Sequence, residues 1–127
     1  MQHVGVDIVE INRIENVIAH WGDKFLKRVF TPTELTNYGN RNSSLAARFA
    51  AKEAVLKALG LGIGAGVPFR EIEITRGARG NPVLVLLGNA REAAANQGIT
   101  CVHLSISHTR DNAVAFVVAE TAEKPEP

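Results

Sequence analysis

Residues 43–59 read SSLAARFAAKEAVLKAL and predict the one long helix of this chain, rich in alanine. An apolar row along this helix is formed by Leu45, Phe49, Leu56 and Leu59. Lys52 falls in the middle of that row and Glu53 on its flank, so ionisable groups are embedded in apolar surface. An ordinary ion pair between residues four apart accounts for Glu53 and Lys57, but not for Lys52 and Arg48 as well.

Shorter elements surround the long helix. Strands are predicted over residues 3–9, 71–76, 82–87, 101–108 and 113–119, and further helices over residues 11–21, 24–29, 32–38 and 89–97. The first strand is a nearly continuous apolar run, which predicts that it is buried. The order of elements predicts a single α+β domain over residues 1–120, with a small antiparallel sheet packed on one long and several short helices. Residues 121–127 are predicted to be a flexible tail.

Composition excludes several classes of protein. The chain has 127 residues, 46% of them hydrophobic and 21% charged, as expected for a folded globular domain. A net charge of +1 argues against a strongly basic nucleic-acid binder. The single cysteine, Cys101, excludes a disulfide framework and a multi-cysteine zinc site, and we expect it in the core of its strand. The absence of a transmembrane-length apolar stretch and of a signal-peptide pattern predicts a cytoplasmic protein.

Asp7 is an anomaly because it lies inside the apolar first strand. A buried carboxylate requires a cation, a metal ion or several hydrogen-bond donors. A purely structural role remains open at this point, in which Asp7 caps the following helix or pairs with an arginine.

The strand over residues 101–108 alternates apolar and polar side chains. Val102, Leu104 and Ile106 are predicted to face one way, and His103, Ser105 and Ser107 the other. A half-buried antiparallel strand has this pattern without any function. Two histidines and three hydroxyl groups over residues 103–109 are also able to form an anion site.

These segments together resemble the 4′-phosphopantetheinyl transferases. The resemblance rests on Val4-Gly5-Val6-Asp7, on Arg48 to Ala58, on Gly80-Asn81-Pro82 and on His103 to Thr109, and it extends from about Gln2 to Glu120. It implies transfer of the phosphopantetheine group of coenzyme A to a serine of apo acyl carrier protein, with release of adenosine 3′,5′-bisphosphate, for fatty acid biosynthesis. It also implies a requirement for Mg²⁺ and a homotrimer with active sites between protomers.

The resemblance assigns roles to individual residues. Asp7 and Glu53 match the metal ligands, and Glu53, or a metal-bound water near it, is the candidate acceptor of the serine proton. Lys57 matches a residue near the pyrophosphate and is the second catalytic candidate. The expected coenzyme A contacts are Arg48, His108 and Thr109 at the 3′-phosphate and Gly80, Asn81 and Pro82 at the adenine. Arg13 matches a residue that docks the acidic carrier protein.

Two departures and two alternatives accompany this assignment. Asn81 stands where the family usually has a basic residue, and Arg41 is the candidate substitute for a phosphate-binding residue of the loop before the long helix. Lys24, Lys27 and Arg28 are weaker docking candidates. The first alternative is a trimeric module that binds a carrier protein or a nucleotide without chemistry. The second is a Mg²⁺-dependent nucleotide hydrolase that acts without a carrier protein.

Overall fold

A computed structural model of the chain describes residues 1–62 and 66–122. The elements follow in the order β1 (Gln2–Glu10), α1 (Ile11–Trp21), α2 (Asp23–Val29), α3 (Pro32–Tyr38), α4 (Asn42–Ala58), a 3₁₀ turn (Phe69–Glu71), β2 (Ile72–Arg76), β3 (Pro82–Leu86), α5 (Gly88–Asn96), β4 (Ile99–His108) and β5 (Asn112–Thr121). Every element expected from the sequence is present, with bounds that differ by at most two residues. The last five residues of the expected tail lie outside the described residues.

The strands form two antiparallel sheets. β5 lies between β1 and β4 in a three-stranded sheet, and β2 pairs with β3 in a separate hairpin. The hairpin turns through Gly80, whose φ of +80° is a conformation that glycine adopts without strain. The α+β class is therefore confirmed, although the strands divide into two small sheets.

The long helix α4 packs directly on β1, and small residues make this close approach possible. A Cβ atom added at Gly5 would lie only 1.9 Å from the carbonyl oxygen of Ala54. The helix buries its alanines against the sheet, and they make up much of the core: Ala46, Ala47, Ala50, Ala51, Ala54 and Ala58. The glycine of the first strand and the alanines of the helix thus position α4 across β1.

The prediction that β1 is buried is correct for only one of its faces. Gly5 and Val9 are buried under α4, whereas Val4, Val6 and Ile8 are 55%, 48% and 66% exposed. Phe116 of β5, opposite Val6, is 46% exposed. We call this side of the three-stranded sheet, away from α4, the outer face. The sequence pattern does not reveal this exposure because both faces of β1 carry apolar residues.

Cys101 also differs from expectation, because it is exposed rather than in the core. It pairs with Glu120 of β5 and shares the outer face with His103, while Val102 and Leu104 pack towards the core. No helix in the described part of the chain is long and apolar enough to cross a membrane.

Candidate functional site

Two carboxylates that the sequence singles out lie in one cavity of about 390 Å³. Asp7 reaches it from β1, Glu53 from the middle of α4, and Arg13 from the first turn of α1. The remaining lining is apolar: Ile8, Val9, Ile14, Val17, Phe25 and Phe49. We call it the carboxylate cavity. Asp7 points into it because alternate residues of β1 face α4, so the close packing at Gly5 also brings Asp7 and Glu53 together.

Lys57 neutralises one of the two carboxylates. Its Nζ lies 3.0 Å from Oδ1 of Asp7 and donates a second hydrogen bond of 3.0 Å to the carbonyl oxygen of Val6. The Asp7 side chain is only 11% exposed, so this ion pair is shielded on one side. The expected partial burial of Asp7 is confirmed, and its cationic partner is a lysine of α4.

Glu53 is the carboxylate of the cavity whose pKa is clearly shifted. The pKa of Glu53 is raised to about 7, first by burial and then by the hydrogen bond with Asp7 and the negative charge of Asp7. The positive charges of Lys57 and Arg13 oppose this change in the pKa without cancelling it. At neutral pH the Glu53 carboxyl is therefore close to half protonated, as expected for a proton acceptor or an incomplete cation site.

This pKa predicts how Glu53→Gln changes the stability of the metal-free protein. A folded-state pKa of about 7 lies above the ordinary value of 4.5, so Glu53 stabilises the fold fully below pH 4.5 and loses that contribution as the pH rises through 7. A neutral glutamine does not undergo this loss. In EDTA, the melting temperature of Glu53→Gln should exceed that of the unaltered protein at about pH 8. The difference between the two melting temperatures should be much smaller at about pH 5. An equal difference at both pH values would contradict the raised pKa.

A second cavity, of about 150 Å³, brings together four of the seven residues expected at coenzyme A: Arg48, Gly80, Pro82 and His108. A fifth, Lys57, lies away from it, at Asp7. We call it the anion cavity. Arg76 at the end of β2 also lines it, and sequence reasoning missed this residue. The only signal was that a basic residue ends β2 shortly before the Gly80 turn. Two arginines and a histidine give the cavity the donors that a phosphate needs.

Arg48 is held rigidly at the anion cavity. Its Nε donates to the carbonyl oxygen of Ile74 at 2.9 Å and its Nη1 to that of Ser44 at 3.2 Å. Its guanidinium carbon lies 3.4 Å from the centre of the Tyr38 ring. Burial lowers the pKa of Arg48, but an arginine stays charged at neutral pH. This fixed cation explains why the long helix carries a buried arginine.

Three further residues from the sequence lie around this cavity without lining it. Asn81 accepts a hydrogen bond from the backbone of Gly77 through its own carbonyl, within the hairpin turn. Thr109 follows His108, and its hydroxyl accepts a hydrogen bond from the backbone of Asn112. Arg41, just before α4, lines a neighbouring cavity that also includes Ser44 and Arg76.

The carboxylate and anion cavities share no lining residue. Ser44 and Arg48 of α4 face the anion cavity, while Phe49 and Glu53 face the carboxylate cavity. Within one chain, the residues expected to act together are therefore divided between two faces of the same helix.

Comparisons with known proteins give the same family over nearly the whole length of the chain. Residues 3–117 match the sequence profile of the 4′-phosphopantetheinyl transferase superfamily. The holo-[acyl-carrier-protein] synthase of Syntrophus aciditrophicus is 46% identical over 119 residues, which is 91% of this chain and 93% of that protein.

Two solved structures of holo-[acyl-carrier-protein] synthases also resemble this chain over nearly its whole length. The Helicobacter pylori holo-[acyl-carrier-protein] synthase in complex with coenzyme A has a TM-score of 0.84 and 37% identity, over 92% of this chain and 99% of that one. The Neisseria meningitidis enzyme of the same name has a TM-score of 0.86 and 40% identity, over 94% and 98% of the two chains.

Proposed function

The chain belongs to the 4′-phosphopantetheinyl transferase superfamily, and from this premise we propose how its two cavities perform the reaction. It transfers the 4′-phosphopantetheine group of coenzyme A to a serine of apo acyl carrier protein and releases adenosine 3′,5′-bisphosphate. We place this reaction in fatty acid biosynthesis in the cytoplasm. We assign residues 1–120 as the transferase domain. The observation that supports the proposal best is the adjacent carboxylate pair of Asp7 and Glu53.

The carboxylate cavity fits Mg²⁺. This hard ion binds oxygen ligands and commonly takes one or two protein carboxylates, with waters and substrate phosphates completing its shell. Asp7 and Glu53 provide such a pair, and a divalent cation would offset both the burial and the neighbouring Asp7 charge that raise the pKa of Glu53. When bound, Mg²⁺ would neutralise charge on the diphosphate of coenzyme A and draw it towards the attacking serine.

Glu53 of the carboxylate cavity and Lys57 beside it carry out the other steps of the reaction. The serine oxygen forms a bond to the phosphorus that carries the pantetheine arm, and the bond from that phosphorus to the departing nucleotide breaks. Glu53, which lines this cavity beside Asp7, is the group we assign to accept the serine proton. Lys57 is held by Asp7 and Val6 through two of its three N–H donors, and we assign the third to the leaving diphosphate oxygen.

The anion cavity holds the other end of coenzyme A. Arg48 and His108, with Arg76 and the neighbouring Thr109, bind the 3′-phosphate, and the turn at Gly80, Asn81 and Pro82 contacts the adenine. A volume of about 150 Å³ is well below the roughly 300 Å³ of a typical small-molecule pocket, so it takes only part of the ligand. The rest of coenzyme A therefore needs a second surface.

A neighbouring subunit supplies that second surface in this proposal. The outer face exposes Val4, Val6, Ile8 and Phe116, an apolar surface larger than scattered single residues would give. Burying it between copies in a closed homotrimer places different surfaces of neighbouring subunits against each other. The carboxylate cavity of one subunit and the anion cavity of the next then form one active site, which explains why a single chain divides the two.

The transfer itself is tested by mass spectrometry. The protein is mixed with coenzyme A, Mg²⁺ and apo acyl carrier protein, and the carrier is weighed. We expect it to gain the mass of one phosphopantetheine group, and EDTA to prevent the gain. An unmodified carrier, with coenzyme A bound and intact, would favour the binding module. Breakdown of coenzyme A without a carrier would favour the hydrolase.

Arg13→Glu should weaken the interaction with the carrier protein. Arg13 is exposed beside Asp7 and Glu53, where the attacking serine of the carrier must approach, and acyl carrier proteins are acidic. Reversal of this charge should raise the KM for the carrier by about tenfold or more and leave the KM for coenzyme A nearly unchanged. The matched control is Arg91→Glu, the same reversal on exposed α5, which should change neither constant. Equal increases in both constants for Arg13→Glu would exclude the docking role.

A further inference from the structure

The outer face carries a cluster of three side chains that the transfer reaction does not use: Cys101, His103 and Glu120. Cys101 and His103 are two residues apart on β4 and so lie on the same face, and Glu120 of β5 is the register partner of Cys101. One thiol, one imidazole and one carboxylate thus converge from two neighbouring strands, and their potential ligand atoms all lie within 4.8 Å of one another.

Two of the three separations between these atoms match those of a tetrahedral metal shell, and the third is at most 4.8 Å. Cys101 Sγ lies 3.3 Å from His103 Nε2, which lies 3.5 Å from Glu120 Oε2. Zinc bonds of about 2.3 Å to sulfur and about 2.0 Å to nitrogen and oxygen, at tetrahedral angles, separate sulfur from nitrogen by about 3.5 Å and nitrogen from oxygen by about 3.3 Å. Both separations agree with the structure to within about 0.2 Å.

A hydrogen bond outside the cluster orients the carboxylate. Gln2 of β1 donates from Nε2 to Oε1 of Glu120 at 3.2 Å, so the other oxygen, Oε2, faces His103. Metal-binding carboxylates are commonly held in this way by a hydrogen bond to their second oxygen. The three strands of the sheet therefore cooperate, two by providing ligands and the third by positioning one of them.

The ligand set selects a different ion from the one proposed at the carboxylate cavity. Sulfur and imidazole nitrogen favour Zn²⁺ and related transition metals, whereas Mg²⁺ prefers oxygen. The cluster is also separate from the carboxylate cavity. Gln2, which contacts the cluster, and Asp7, which lines the cavity, are five residues apart on β1, or about 17 Å along the strand, and their side chains point to opposite faces of the sheet.

We propose that Cys101, His103 and Glu120 form a second metal site that binds Zn²⁺ on the outer face of the three-stranded sheet. Three protein ligands leave the fourth tetrahedral position for water or for a group from a neighbouring molecule. Because the site lies on the same face as the apolar residues of β1 and β5, the ion would sit at or beside the subunit contact. The proposal does not depend on the transferase activity.

Titration of the untagged, purified protein with Co²⁺ tests the site, because tetrahedral cobalt bound to a thiolate has a charge-transfer absorption. We expect this band to saturate at one Co²⁺ per chain, to disappear on addition of Zn²⁺ and to be absent from Cys101→Ser. Glu120→Gln and His103→Gln should weaken Zn²⁺ binding by at least about tenfold. His20→Gln, at an exposed histidine of α1, is the control and should bind normally.

Two results would overturn the proposal. The first is the absence of a charge-transfer band in the unaltered protein, including the case in which subunit packing closes the site. The second is a band that persists with unchanged affinity in both Glu120→Gln and His103→Gln, since this would show a cysteine that binds cobalt without its neighbours. Phosphopantetheine transfer in Mg²⁺ should stay unchanged in Cys101→Ser, which separates this site from the active site.

Discussion

Asp7→Asn and Glu53→Gln are each expected to reduce phosphopantetheine transfer by more than about a thousandfold while the protein stays folded. Both substitutions keep the size of the side chain and remove one of the two negative charges of the carboxylate cavity. Each substitution leaves the proposed Mg²⁺ site with a single carboxylate ligand. Glu53→Gln also removes the proposed proton acceptor. The decrease should appear in kcat as well as in kcat/KM.

The loss is measured as the rate at which apo acyl carrier protein gains mass. Glu92→Gln removes an exposed carboxylate from α5 and serves as the control, with an expected rate close to that of the unaltered protein. Circular dichroism and the oligomeric state should be unchanged in all three variants. A normal rate in Asp7→Asn or in Glu53→Gln would remove that residue from the proposed mechanism.

Lys52→Met is expected to destabilise the fold by about 3–5 kcal/mol, because it leaves a buried carboxylate without its cation. Lys52 and Glu34 are both fully buried, with Nζ 2.7 Å from Oε1. Burial lowers the pKa of Lys52, and the charge of Glu34 opposes that change. Lys52 also donates to the carbonyl oxygens of Phe69 and Ile72, so it connects α4 to β2 and to the turn before it.

Glu34, the acidic partner of this ion pair, is also held by hydrogen bonds from the backbone. Glu34 accepts hydrogen bonds from the backbone of Thr31 and of Ile74 at 2.9 Å each. The carboxylate therefore stays fixed in the core when the lysine is removed. This network links α3, α4 and β2, and it accounts for the lysine in the apolar row of the long helix.

Urea unfolding at a fixed chain concentration measures the effect, because the stability of an oligomer depends on concentration. Lys27→Met is the matched control. Lys27 pairs with Asp23 at 3.9 Å with both side chains largely exposed, so its loss should hardly change the unfolding midpoint. If the two variants unfolded at the same urea concentration, the buried ion pair would not have the importance assigned to it here.

Much of the fold could be predicted from local sequence signals. The capping box at Thr31 and Glu34 and the proline at residue 32 define the start of α3, and the predicted helix has the observed bounds. The apolar and polar alternation of β4 correctly predicts which side chains face the core. In these elements a repeating pattern and a terminal signal agree, so local information was sufficient.

The errors arise where the environment depends on distant parts of the chain. β1 is apolar on both sides, so its sequence does not reveal that α4 covers only one of them. Cys101 is predicted in the core because nothing in the sequence marks it as a reactive thiol, yet its alternation with Val102 places it outside. Arg76 was missed because its approach to Arg48 depends on how the β2–β3 hairpin packs on α4.

The division of the proposed active site was likewise outside the reach of sequence patterns. Arg48 and Glu53 are five residues apart on α4, and only the packing of β1 on one side and of the β2–β3 hairpin on the other shows that they line different cavities. This division is the structural basis for the proposal that neighbouring subunits complete each other's sites.

Mixing of two inactive variants tests that central claim most directly. Glu53→Gln disables the carboxylate cavity, and Arg76→Glu repels phosphate from the anion cavity. The two proteins are unfolded together in equal amounts, refolded, checked for mixed trimers by native mass spectrometry and assayed at low coenzyme A concentration. We predict recovery of about a quarter of the unaltered activity, because a quarter of the subunit contacts in a randomly mixed ring join two intact cavities. Mixed trimers with no more activity than either parent would contradict the account.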